Sequence, residues 1–341
     1  MAARWASSIF TCGRLWEHRF TQIPADFELT HKSCTDQCPN NKEVNLGCIA
    51  CIAAMRDEAA SDVVTLRLRA GSSIPVEADT ICPDLFIGRS EAEIAALPAF
   101  YGRRQVTLGD LFEVDGAYSD HIVMWDATDD PGGLRRVKRI GQRMSRGRIV
   151  VHGDAGMHLG AEMRGGEIVV HGSTSTWAGA HMAGGILRVD GNAGPMLGAA
   201  YPGEIRGMRG GVIFVRGSVG PRAGERMRRG MIVVGGDAGE FSGARMIAGS
   251  LFVFGTLGAR AGAGMKRGTI VAVNGRAEAL LPTFRYACTS QVTFMRVYLR
   301  RLWEHDCQLP ITDAHVSGAY HRYTGDITTL GKGEILIYAE H

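Results

Sequence analysis

MSRGRIVVHGDAGMHLGAEM, residues 144–163, spans one unit of a repeat and the first residue of the next. A methionine stands three residues before the glycine that opens an apolar run, and the pair returns nineteen residues later. With Gly147, Gly166, Gly185, Gly211, Gly230, Gly249 and Gly268 as anchors, the intervals are 19, 19, 26, 19, 19 and 19, so one of seven copies carries a seven-residue insertion. Self-similarity at this length marks a stacked fold, because a single unit cannot bury its apolar face alone.

The copies align as columns. Met144, Met163, Met182, Met208, Met227, Met246 and Met265 precede the anchors and make up half of the 14 methionines. Ile149, Ile168, Leu187, Ile213, Ile232, Leu251 and Ile270 lie two past them, and Val151, Val170, Val189, Val215, Val234, Val253 and Ala272 four past. Alternate side chains of a strand share a face, so these columns point inward. Glycines recur six past the anchor (Gly153 to Gly255) and thirteen past it (Gly160 to Gly262), where corners with positive φ are expected. The expectation is an all-β fold: a right-handed single-stranded parallel β-helix of about seven 19-residue coils at 141–275, with small α+β caps. At a strand spacing of ~4.8 Å it would rise roughly 35 Å. The methionine column reads as core filler rather than a metal site, and each buried aliphatic side chain contributes ~1.5–3 kcal/mol.

Composition sets outer limits. The 341 residues are 45% hydrophobic with 46 glycines and a formal charge of only +3, which argues against nucleic-acid binding by bulk electrostatics. No apolar run approaches the ~18 residues of a membrane span. Trp16, Glu17 and His18 interrupt the start, against a secretory leader, and eight cysteines outside a small secreted frame suit a reducing, cytoplasmic compartment.

Outside the repeats the texture changes. Residues 1–61 show no period and contain Cys34, Cys38, Cys48 and Cys51, a C-x3-C-x9-C-x2-C spacing able to hold zinc or a cluster. The favoured reading is a disordered or non-native extension, with Met55 as an alternative start. Residues 62–140 read as an N-terminal cap: strands at 63–69, 111–114 and 121–125, and a helix at 91–97 capped by Ser90 with Glu93 at its third position and stopped by Pro98. Residues 276–341 read as the other cap. Val292, Met295, Leu299, Leu302 and Trp303 share a helical face suited to plugging the open end, and a strand lies within 325–338.

No catalytic set emerges. His152, His171 and Asp190 share an outward column and suggest a metal site, but the outer two would lie ~10 Å apart along the stack, so a surface ladder is expected. Loops such as GDAG lack the following helix of a phosphate cradle. Three features suit partner contacts instead. An outward column three past the anchor is apolar (Val150, Val169, Phe214, Val233, Phe252, Val271) except at Arg188, and needs cover from this chain or another. A basic edge runs through Arg146, Arg164, Arg209, Arg228, Arg229, Lys266 and Arg267, either solvated or docking an acidic protein surface or a carboxylate-rich carrier tail. The insertion, within 197–208, offers Tyr201, Pro202 and Arg206.

The repeat pattern at 153–163 (GDAGMHLGAEM) and 243–255 (GARMIAGSLFVFG) resembles the GXGXG repeat shared by two families, the C-terminal domain of the large glutamate synthase polypeptide and the C-subunit of formylmethanofuran dehydrogenase. CPDLFIGRSEAEIAALPAFYGRR at 82–104, LGDLFEVDG at 108–116, LRRVKRIGQRM at 134–144 and GDITTLGKGEILIY at 325–338 resemble the second family specifically. The likeness runs from about residue 62 to the end. It implies a noncatalytic scaffold subunit, without cofactors of its own, in a complex handling a formylated methanofuran-like carrier. In the dehydrogenase form, found in methanogens, other subunits hold tungsten or molybdenum and iron–sulfur clusters. In the formyltransferase/hydrolase form of methylotrophs, which serves formaldehyde oxidation, a partner holds zinc. Arginine supplies 33 of 38 basic residues, and this arginine and alanine richness leans toward the bacterial form. The alternatives are a glutamate synthase-like amidotransferase module and an independent enzyme using His152 and His171.

Overall fold

A computed structural model describes residues 63–69, 74–126, 132–305 and 309–339. The expected extension at 1–61, with Cys34, Cys38, Cys48 and Cys51, and the Trp303 side chain lie outside the described residues.

The fold is mostly β. Leading elements are β1 (Val64–Leu68), β2 (Val76–Glu77), α1 (Pro83–Phe86), α2 (Glu91–Ala95), β3 (Pro98–Tyr101), β4 (Arg104–Thr107), α3 (Leu108–Leu111), β5 (Phe112–Asp115), β6 (His121–Asp126) and β7 (Val137–Lys138). Each repeat then supplies one strand: β8 (Arg148–His152), β9 (Glu167–Val170), β10 (Ile186–Val189), β11 (Val212–Val215), β12 (Met231–Val234), β13 (Ser250–Val253) and β14 (Arg267–Ala272). Last come β15 (Arg285–Ser290), α4 (Thr293–His305), α5 (Asp313–Ser317), β16 (Tyr320–Gly325) and β17 (Lys332–Tyr338). A thirteen-stranded sheet runs β15-β16-β17-β14-β13-β12-β11-β10-β9-β8-β6-β1-β5, and β4-β3-β2-β7 form a small second sheet. Every neighbouring pair in the run from β1 through β17 is parallel.

Register follows the columns. Ile149 pairs with Ile168, then Leu187, Ile213, Ile232, Leu251 and Ile270, all fully buried. The seven column methionines are also fully buried. A second ladder of single bridges links Ala155, Thr174, Ala193, Val219, Ala238 and Leu257.

The glycines divide by physical role. Those thirteen past the anchors turn corners as expected, with φ of 59–69°. Of those six past, only Gly153 has positive φ. The rest are needed for close approach: a Cβ at Gly255 would stand 2.5 Å from the carbonyl carbon of Gly236. The anchors themselves take φ of 77–104°, and beside the six that follow Gly147 the methionine of the preceding copy fills the space. A Cβ at Gly166 would lie 2.6 Å from the Met144 ε-methyl, which explains why the two residue types recur together.

Both flanking segments add strands to the large sheet. β6 pairs in parallel with β8 and β1 with β6, so Val64 and Ile122, and Leu66 and Met124, continue the two inward columns before antiparallel β5 ends the sheet. The expected helix is α2, closed by the Ser90 N–H donating to Glu93 at 2.8 Å. Pro98 opens β3, and the strand expected from Leu111 begins at Phe112 because Thr107 caps α3 just before it.

At the far side, α4 does not plug the end. Parallel β17 extends the sheet from β14, and α4 lies on its flank: Met295, Leu299 and Leu302 are buried with Phe214, Val233, Phe252 and Val271. The outward apolar stripe is thus covered by this chain over its later copies, where its aromatic members give α4 a larger surface to bury. Among the described residues no helix is long and apolar enough to cross a membrane.

A candidate binding cleft at the insertion

The chain's polar chemistry concentrates where the insertion folds back on the first three copies. Two recurring positions support it, eleven past the anchor in six copies and fifteen past it in four, where non-glycine residues take left-handed backbone. His158, Trp177, Met196, Arg222, Phe241 and Arg260 occupy the first with φ of 58–64°, and Glu162, His181, Arg226 and Arg245 the second with φ of 53–59°. Such residues cost energy to hold and depend on surrounding structure to fix them.

Several of them build the site together with the insertion. The Tyr201 N–H donates to His181 Nε2 at 3.0 Å, and the Tyr201 hydroxyl meets His158 Nδ1 at 2.9 Å. His158 stacks on Trp177 with centroids 5.5 Å apart and planes 8° apart. Arg226 donates to the Glu204 carbonyl at 3.0 Å, tying down the loop tip. Glu162 is held by Arg143 at 2.9 Å and Gln142 at 3.4 Å. Between these groups lies a cleft of about 490 Å³ lined by Glu162, His181, Tyr201, Glu204, Ile205, Arg206 and Arg209.

Electrostatics favour neutral rings. Burial lowers the pKa of His158, with Arg139 and Lys138 adding to it. Burial also lowers that of His181, with Glu204 opposing and Arg209 adding. The Tyr201 hydroxyl is pushed up, mainly by burial. Burial works against ionisation of Glu162, but hydrogen bonding and charge from Arg143 hold its carboxyl below the usual range. The cleft offers cations, carboxylates, an imidazole and a phenol edge, a set suited to binding a polar surface.

The structure brings together Tyr201, Arg206 and Arg209 among the residues singled out from sequence. Arg164, Arg228, Arg229, Lys266 and Arg267 do not line the cleft, and Arg146 instead lies 3.5 Å from Asp84. The Asp84 carboxyl is kept low despite burial by hydrogen bonds from Ser145. His152, His171 and Asp190 form the expected outward ladder: Trp125 stacks on His152 at 3.7 Å, and Asp190 binds His171 at 2.7 Å and Arg216 at 2.6 Å. Sequence reading missed His158, Glu162, Trp177 and His181. Their recurrence at two fixed offsets was the available signal.

No family model matches the chain. A chain in the crystal structure of the formyltransferase/hydrolase complex from Methylorubrum extorquens, in complex with methylofuran, is 38% identical with a TM-score of 0.73; the match covers 81% of this chain and 100% of that one. The C-subunit of the molybdenum-containing formylmethanofuran dehydrogenase 1 of Methanothermobacter marburgensis is 44% identical over 88 residues, 26% of this chain and 21% of that protein. The C-subunit of the Methylorubrum extorquens formyltransferase/hydrolase complex is 40% identical over 95 residues, 28% of this chain and 34% of that protein. The matched stretch thus spans about a fifth to a third of these two curated relatives.

Proposed function

Because the chain belongs to the C-subunit family of formylmethanofuran dehydrogenase, we propose that it is a noncatalytic scaffold subunit of a formyltransferase/hydrolase-type complex. That complex acts on a formylated methanofuran-like carrier in one-carbon metabolism, in the cytoplasm. The observation that carries this reading is the match along the whole of a chain within such a complex. Zinc and the carrier's reacting end belong to partner subunits, and this chain contributes surfaces.

The repeats wind as a right-handed single-stranded parallel β-helix of about seven coils over 141–275, capped by 62–140 and 276–341. In-register strands nineteen residues apart and the second ladder from Ala155 to Leu257 support this. Tyr201, Arg206 and Arg209 in the cleft, and Arg164, Arg228, Arg229, Lys266 and Arg267 of the basic edge, receive an acidic partner surface or a carboxylate-rich carrier tail.

Purification of the tagged chain from its own cells tests the reading. The expected result is co-purification of a zinc amidohydrolase-like subunit and a formyltransferase, with release of formate from formylated carrier. The second reading, a dehydrogenase-type complex, is favoured by the molybdenum- and tungsten-containing curated relatives at 39–44% identity. Stoichiometric tungsten or molybdenum in the purified complex, with carrier-dependent carbon dioxide reduction, would select it. Absence of both partner sets would reject the subunit reading.

A further inference from the structure

The two recurring left-handed positions change character along the stack. In the copies anchored at Gly147, Gly166 and Gly185 neither position holds arginine, whereas in those anchored at Gly211, Gly230 and Gly249 arginine fills four of the six, at Arg222, Arg226, Arg245 and Arg260. Their φ of 53–64° suits glycine or asparagine better, so the backbone does not select arginine there. Gathering like charges also works against folding. Arg226 is taken up by the Glu204 carbonyl. The other three arginines close round a single ring.

Arg222 and Arg260, one copy to either side of Phe241, place their guanidinium groups 5.8 and 5.3 Å from its centre, where the ring face attracts cations. Beside them opens a cleft of about 290 Å³ lined by Arg222, Glu225, Phe241, Arg245, Ala263 and Gly264. Arg222 and Arg245 converge on the two oxygens of Glu225 at 3.5 and 3.8 Å, longer than the ~2.7–2.9 Å of a charge-assisted hydrogen bond. Both guanidinium forks therefore keep N–H groups for a further acceptor. The Asp326 carboxylate, bound to Gly264, is already used: it accepts the Gly264 N–H at 2.9 Å and the N–H and hydroxyl of Thr328 at 2.9 and 2.7 Å.

We propose that this cleft binds a phosphate group, as inorganic phosphate or as the monoester of a small molecule. Two converging forks need more acceptor oxygens in one place than a carboxylate has, and a tetrahedral dianion supplies them. The cleft's size suits a compact ligand. The site is separate from the insertion cleft and does not depend on the subunit reading.

The test is calorimetric titration of the full chain with inorganic phosphate at constant ionic strength. One saturable site is expected. Arg222→Gln/Arg245→Gln should weaken it at least about tenfold, the loss of one charge-assisted bond or more. Arg103→Gln/Arg104→Gln, which removes the same charge from the β3–β4 hairpin, should leave it unchanged. Succinate should bind at least about tenfold more weakly than phosphate, and a phosphate monoester such as glycerol phosphate compared with inorganic phosphate tells the two sources apart. Phosphate should also raise the Tm of the unaltered chain above that in chloride of equal ionic strength, a readout independent of any variant's folding. Absence of saturable binding up to about 10 mM phosphate overturns the site. Equal weakening by the hairpin variant reduces it to diffuse charge, and succinate binding as tightly as phosphate overturns the choice of ligand.

Discussion

Six of the seven column methionines reach past their own copy to the glycine that anchors the next, so the two residues form one contact repeated along the sheet. Gly230 sits at φ +98°, and a Cβ there would lie 2.8 Å from the Met208 ε-methyl. Gly230→Ala is expected to lower stability by about 1–3 kcal/mol, and Met208→Ala by about 2–5 kcal/mol, both read from urea midpoints. Together they should cost less than their sum, because truncating Met208 removes the methyl that opposes the new Cβ. At the insertion, His181 Nε2 accepts the Tyr201 N–H only when unprotonated. Its folded pKa is depressed by burial, as is that of His158, so the unfolded chain binds more protons across that interval. The latch is therefore complete above the ordinary histidine value of about 6.5 and is lost as pH falls through it toward the depressed values. Protection of residues 199–207 against hydrogen exchange, measured relative to the intrinsic rate at each pH, should fall between pH 7.5 and 5, and His181→Phe should remove most of that dependence.

At the scale of elements, burial decides where α4 lies. Leu299 is fully buried against the later part of the outward stripe, and Leu299→Ala is expected to cost about 2–5 kcal/mol in thermal or urea unfolding. The period of two in each strand and of nineteen between strands made the parallel register and the methionine core legible in advance, because an inward column has few ways to be filled. The seat of α4 was not legible. Its apolar face declares that it packs, but two surfaces needed cover, and only tertiary structure shows that β17 takes the end and leaves the flank. The cleft was half legible for a similar reason. An insertion with tyrosine and arginine announces a protrusion, whereas left-handed backbone at His158 or Trp177 has no residue-type signature and shows only as an offset shared among unlike side chains. Deleting residues 201–207, which restores the nineteen-residue spacing, should leave the strands intact by circular dichroism while removing the cleft and weakening partner recovery.

For the whole molecule, the free cations of the basic edge outweigh its internal ion pairs. Arg209, Arg228 and Arg229 have no carboxylate within 4.0 Å among the described residues, unlike Arg146 beside Asp84. Reversing all three to glutamate should lower partner recovery and flatten its dependence on ionic strength, with little change in Tm, since solvated charges contribute little to folding. The contact between methionine and the next glycine also constrains how such a chain changes size. A strand-to-strand interval of eighteen or twenty would set a methionine against the wrong neighbour in every later copy, whereas nineteen more residues merely add a storey. Growth in this architecture is quantised, and the seven extra residues between Gly185 and Gly211 are tolerated because they leave and re-enter at a corner, outside the count that the interior keeps.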